Sequence, residues 1–157
     1  MAKALVIYYS ESGNTKKMAE QVVEGIKKEG VEVLLKDVKD TAPEELLKFD
    51  TIVIGSPTYY GTMSAEIKKL FDESVKFHGK LEGKVGAAFS SSANIGGGNE
   101  TTILDILSAM LIHGMIIRGD SQGDHYGPVA IGVPDARALK QCVRLGSRVA
   151  QLVKKLF

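Results

Sequence analysis

With 157 residues the chain has room for one domain with a substantial core, and 44% hydrophobic with 25% charged residues is a globular composition that argues against disorder. Twenty basic residues against nineteen acidic ones leave a net charge of +1, so neither nucleic acid nor an anionic membrane surface is an expected partner. The single Cys142 excludes an internal disulfide and a cysteine-based metal site and fits a reducing compartment. The first apolar run is short for a signal peptide and no stretch approaches the ~20 apolar residues of a membrane span, so a soluble cytoplasmic protein is expected.

Lys3 to Tyr9 reads as a buried strand and Lys16 to Lys27 as a helix, with Met18, Ala19, Val22, Val23 and Ile26 at helical spacing. Between them lies Ser10-Glu11-Ser12-Gly13-Asn14-Thr15, where Gly13 and Asn14 tolerate positive φ. Such a turn into a helix start gathers backbone N–H groups at the positive end of the helix dipole, and the hydroxyls of Ser10, Ser12 and Thr15 add donors. It reads as a phosphate cradle. The rival reading is an ordinary capped turn.

Val31 to Val38 alternates as an edge strand does, and Thr41-Ala42-Pro43-Glu44-Glu45 predicts a short helix capped by Thr41 and ending near Phe49. Thr51 to Gly55 is a β-branched run suited to a central parallel strand, leading into the loop Ser56-Pro57-Thr58-Tyr59-Tyr60-Gly61. Ala65 to Val75 is the next helix, with Ile67, Leu70, Phe71 and Val75 on one face. Val85 to Ser90 is a strand that opens into Ser91-Ser92-Ala93-Asn94-Ile95-Gly96-Gly97-Gly98-Asn99. Glu100 to His113 forms an apolar helix through Ile103, Leu104, Leu107 and Leu111. Gly114 ends it, Met115 to Ile117 begins a strand, and Gly119 to Gly132 is loop-like around the triplet Val129 to Ile131. Pro134-Asp135 starts a last helix that turns Leu139, Val143, Val149, Leu152 and Val153 inward.

This β-α alternation without repeat or linker predicts a single α/β domain over residues 1–157, a parallel sheet of about five strands with helices on both faces. In such sheets ligands bind beyond the carboxyl ends of the strands, where strand order reverses. The three loops rich in glycine and hydroxyl residues all emerge at that end. The first lacks the G-x-x-x-x-G-K-[ST] and G-x-G-x-x-G patterns and has no lysine to reach further phosphates, which leaves one phosphate. Tyr59 and Tyr60 can stack on a flat ring or simply pack at a rim, and the third loop can offer donors to ring carbonyls. One phosphate plus a planar heteroaromatic ring describes flavin mononucleotide (FMN).

Ser10 to Thr15 also resembles the phosphate loop of the flavodoxins, hydroxyl-x-hydroxyl-Gly-x-Thr. Gly55 to Ser64 is similar to the second flavin loop of the WrbA-type quinone oxidoreductases, a branch of the flavodoxin superfamily. Phe89-Ser90-Ser91 with Gly96 to Glu100, His113-Gly114-Met115 and Tyr126-Gly127 resemble the same branch. The resemblance implies the three-layer flavodoxin-like sandwich, sheet order 2-1-3-4-5; flavodoxin with FMN at its switch point is a standing example of that order. It implies FMN contacts at Ser10, Glu11, Ser12, Gly13, Asn14 and Thr15, at Pro57, Thr58, Tyr59, Tyr60 and Gly61, and at Ser91, Ser92, Ala93, Asn94, Gly96 and Gly97. His113 matches a histidine near the flavin in that branch, although a helix-capping role is an equal alternative. A homo-oligomer is implied as well.

The chain departs from the WrbA branch in being shorter between the second and third strands and after Gly119, in having no tryptophan, and in placing Ser12 where an aromatic is common. Its segment Lys140 to Gly146 looks more like short-chain flavodoxins. A receiver domain would need acidic residues where Ser10-Glu11-Ser12 and Gly55-Ser56-Pro57 stand, and a small tyrosine phosphatase would need a Cys and an Arg in the first loop. His78 and His125 have no metal-ligand spacing, so no metal site is expected, and Cys142 among apolar neighbours reads as core. Two activities follow from the resemblance: reduction of quinones with electrons from NAD(P)H, and electron carriage to redox partner proteins. The neutral net charge favours the first.

Overall fold

The computed structural model describes all residues, 1–157, and its fold grows from a sheet whose central strands are apolar on both faces. Strands β1 (Lys3–Tyr8), β2 (Glu32–Asp37), β3 (Thr51–Pro57) and β4 (Val85–Ser92) are parallel in the order β2-β1-β3-β4. β1, β3 and β4 are almost wholly buried, whereas β2 has no fully buried residue, its first half alternating exposed and half-buried as befits the sheet edge. Helices α1 (Asn14–Lys28) and α4 (Ala136–Leu156) cover one face, around Val6, Val22, Val53, Phe89 and Val149. Helices α2 (Ala65–Glu73) and α3 (Asn99–Ile112) cover the other, around Ile7, Ile54, Ile67, Ala88 and Ile106.

The fifth strand position is divided. Ile116–Ile117 (β5) pairs with Val85 and Gly86 at the start of β4, and Val129–Ile131 (β6) pairs with Ser90, Ser91 and Ser92 at its end. The triplet read as part of a loop is thus the second half of an interrupted edge strand. The intervening segment is bound to α4 by ion pairs of Asp120 with Arg144 and Arg148, and of Asp124 with Arg137.

Three local expectations change. Residues 43–48 form a 3₁₀ turn, and the Thr41 hydroxyl donates to the Asp37 carbonyl at 2.8 Å instead of capping a helix. The carboxylate of Glu45 accepts from the N–H of Ala42 and pairs with Lys36 at 2.7 Å. Helix α2 ends at Glu73, so Val75 turns outward and is 71% exposed. In α3 the buried face runs through Ile103, Ile106, Leu107 and Met110, leaving Leu104 and Leu111 in solvent, because this helix is apolar on both faces.

Candidate functional site

The carboxyl ends of β1, β3 and β4 release their loops side by side, and a cleft of about 360 Å³ opens among them. This is within the range of about 300–1,000 Å³ usual for small-molecule sites. One wall is Ser10, Glu11, Ser12, Asn14 and Thr15; the opposite walls are Pro57, Thr58 and Tyr59, and Ser91, Ser92 and Ala93. No lysine or arginine lines it.

The first wall is an anion cradle made of backbone. Gly13 occupies the cap position of α1 at φ 90° and brings no side chain to the helix end. Its own N–H donates to Ser10 Oγ at 3.0 Å. The N–H groups of Glu11, Ser12, Asn14, Thr15 and Lys16 have no acceptor within the chain. Such a cluster at the positive end of a helix dipole is suited to a phosphate. Thr15 is buried, and its hydroxyl lies 3.0 Å from Ser91 Oγ, which joins the cradle to the end of β4.

The other walls are joined by a relay of hydroxyls. Ser90 and Thr58 are 3.1 Å apart, Thr58 and Thr102 are 3.0 Å apart, and Thr102 ends the relay on the Gly98 carbonyl at 2.8 Å. Each hydroxyl has one proton, so the satisfied arrangement runs from Ser90 through Thr58 to Thr102. Tyr59 to Thr62 closes a tight turn, with Tyr59 N–H to Thr62 carbonyl at 2.9 Å and the return bond at 3.2 Å. Tyr60 at its tip has φ 50° and is fully exposed. The N–H groups of Tyr60, Gly61, Ala93 and Asn94 are left without acceptors in the chain. Tyr59 is 39% exposed and presents its ring at the cleft, and its phenol is pushed up by burial and then by the nearby Glu11 and Glu66 carboxylates.

Of the residues singled out in the sequence, Gly13 and Gly61 shape the backbone behind the walls, Tyr60, Asn94 and Gly96 sit on the exposed rims, and Gly97 is half-buried against Ser92. His113 does not join them. It caps the far end of α3, a helix roughly 20 Å long. There its Nε2 lies 2.8 Å from Ser74 Oγ, and the ring lines a separate groove with Phe71, His78 and Ile112. Within one chain His113 thus stands at the opposite end of α3 from the cleft, buried and bonded to Ser74. Gly132 is the wall residue that sequence reading missed: its N–H donates to the Ser92 carbonyl at 2.8 Å. The signal available for it was the apolar triplet just before, which marks a strand end aimed at the same cleft.

A family model described as flavodoxin matches residues 6–104, a span that contains the cradle, the tyrosine turn and the third loop. The chain belongs to the flavodoxin family. The cofactor of that family is FMN. A flavodoxin of Aquifex aeolicus is 43% identical, with 98% of this chain and 88% of that protein covered. A protein of Archaeoglobus fulgidus named NAD(P)H dehydrogenase (quinone) is 36% identical over 99% of this chain and all of its own. Among solved structures, a flavodoxin, WrbA-like protein from Agrobacterium tumefaciens superposes over the full length of both chains with a TM-score of 0.85 at 28% identity. The sheet order β2-β1-β3-β4-β5 is the expected flavodoxin-like one. No helix is long and apolar enough to cross a membrane.

The residues present fit FMN. The unpartnered N–H groups at the start of α1 suit one phosphate, and the absence of a lining cation suits a monoester better than a di- or triphosphate. The free N–H groups of the second and third loops face the donor needs of a ring with carbonyl and imine acceptors.

Proposed function

We propose that residues 1–157 act as a single cytoplasmic FMN-binding domain that reduces quinones with electrons from NAD(P)H. The observation that carries this reading is the cleft where the free N–H donors of the first loop stand opposite Tyr59 and the third loop. Ser10, Ser12, Asn14 and Thr15 would hold the phosphate, with Gly13 shaping their turn. Pro57 to Gly61 and Ser91 to Gly97 would flank the ring. FMN supplies the electron transfer when bound; the chain holds it, orients it and leaves one edge open. No histidine or lysine lines the cleft, and its one carboxylate, Glu11, is held by the Tyr9 hydroxyl, so no side-chain acid or base is assigned to the reaction. The exposed Tyr59 and Tyr60 border a place that a nicotinamide and a quinone can occupy in turn, which predicts ping-pong kinetics.

The names carried by relatives aligned over nearly the whole of both chains support the reductase, and a net charge of +1 is far from the strongly acidic balance of a typical electron carrier. Electron carriage to a protein partner is the second reading, supported by the 43% identity to a protein named flavodoxin. Stopped-flow mixing of the FMN-loaded protein with NADH or NADPH separates them. Bleaching of the flavin followed by reoxidation with a quinone is the expected result, and a flavin left oxidised by both nucleotides would leave the carrier reading in its place. We also place a homo-oligomer contact on the outer face of α3, where Leu104, Leu111 and Ile112 are exposed beside Val75. Sedimentation of the Leu111→Lys/Ile112→Lys variant as a smaller species than the wild type would support it.

A further inference from the structure

The cradle is suited to an anion, yet its wall includes an acid. Glu11 stands between Ser10 and Ser12 on the cleft. Three residues on, α1 begins with N–H groups that no side chain caps, because the cap position is Gly13. Glu11 lies two residues before that cap and lines the same cleft as Asn14 and Thr15, and the dipole there draws a carboxylate. Left free, Glu11 is the nearest anion to the nest and a competitor for it.

The structure shows it engaged elsewhere. The hydroxyl of Tyr9 donates to Glu11 Oε1. Tyr9 is 4% exposed, packed in the core beneath α2 and α3, and its ring meets that of Tyr59 edge-on at 6.2 Å and 80°. The ammonium of Lys39 lies 5.0 Å from the centre of the same ring. A donor fixed in this way holds an otherwise exposed and mobile carboxylate in one place. The Glu11 bond first, then burial, pushes the Tyr9 phenol far up, so it keeps its proton and remains a donor across the physiological range.

We propose that Tyr9 is a positioning residue for the phosphate cradle: its hydroxyl tethers the Glu11 carboxylate and so keeps the helix N–H groups open to the phosphate of the ligand. The inference rests on the FMN reading and adds a residue to it. Its consequence is specific to the phosphate, because a ligand with the same ring but no phosphate has nothing for Glu11 to compete with.

The test is titration of the flavin-free full chain with FMN and, separately, with riboflavin, followed by flavin fluorescence. Wild type, Tyr9→Phe, and Tyr9→Phe with Glu11→Gln are compared, and circular dichroism verifies that each is folded. Tyr9→Phe is expected to weaken FMN about fivefold, the size of one lost hydrogen bond, and to leave riboflavin unchanged. Adding Glu11→Gln is expected to restore FMN affinity. Equal weakening of both flavins, no weakening of FMN, or failure of Glu11→Gln to restore it would overturn the tether while the FMN reading stands. A wild-type chain that binds neither flavin would overturn both.

Discussion

Gly25 and Gly146 face each other where α1 crosses α4, and neither position has room for a Cβ. One added at Gly25 would meet the Val143 carbonyl oxygen at 2.1 Å, and one at Gly146 would meet the Val22 carbonyl oxygen at 2.1 Å. The Ser147 hydroxyl, 3.1 Å from the Gly25 carbonyl, ties the same crossing. Because the obstacles are backbone atoms, the helices must separate to admit a methyl group. Gly146→Ala is expected to cost about 3 kcal/mol, at the upper end for overpacking. Urea unfolding followed by circular dichroism measures it; a midpoint equal to wild type would show that the crossing yields.

The pair Thr15 and Ser91 gives the second expectation. Both are buried, and their 3.0 Å contact links the cradle to β4. Thr15→Val keeps the shape of the side chain and leaves Ser91 without this partner. A cost of about 1–2 kcal/mol is expected, as for other buried hydroxyls left unpaired. FMN affinity should fall together with stability, because the same bond sets the distance between the phosphate and ring walls. Matching fluorescence titrations of variant and wild type would contradict this.

How much of this was legible in the sequence depended on whether the signal was local. The cradle was legible because strand, turn and helix start are contiguous from Lys3 to Lys28, and the periodic apolar residues of α1 fix its buried face. The convergence of three loops followed from the parallel alternation, which forces them to one end of the sheet. The division of the fifth strand was not legible: Met115 to Ile117 reads as a strand start, but Val129–Ile131 is too short and too distant to read as its continuation, and only β4 gives the two a common partner. Nor was the position of His113, since helix α3 is apolar all round and its sequence does not say which residues face the sheet. Gly132 had only the short triplet Val129–Ile131 before it as a signal, and the tether of Glu11 by Tyr9 is a tertiary fact with no pattern in the chain.

At the ring end, the Thr101 hydroxyl lies 2.7 Å from the Gly61 carbonyl and 2.8 Å from that of Gly98. The turn and the third loop also touch closely: a Cβ on Gly98 would come within 2.8 Å of Gly61 Cα. On the proposed FMN reading, the Gly61 carbonyl that Thr101 holds is the group of the tyrosine turn expected to respond to the protonation state of the ring. Thr101→Val frees it. If that carbonyl then gains or loses one hydrogen bond to the reduced flavin, worth about 1 kcal/mol, the two-electron potential should move by roughly 20 mV. Photoreduction against reference dyes would read it, and an unmoved potential in both Thr101→Val and Gly61→Ala would remove the turn from any tuning role.

The pH dependence of stability should show two separate acid limbs. Burial, and then the neighbouring His78, hold His113 below its ordinary value, and its Nδ1 has no hydrogen-bond partner. The Ser74 hydroxyl donates to the Phe71 carbonyl, so it accepts from His113 Nε2–H and the ring is neutral in the folded chain. An unfolded chain takes up a proton at that ring near pH 6.5, where the folded one does not. The unfolded state then binds more protons, so stability is complete above about pH 6.5 and is lost as pH falls through the depressed folded value. Asp120, held far down by its hydrogen bond to Arg144, has the same sign, but its loss begins only below about pH 3.9. Thermal melts from pH 7.5 to pH 3 should therefore show a first decline that His113→Gln removes and a later one that it leaves. A single decline beginning near pH 4 in the wild type would mean that His113 charges in place without penalty.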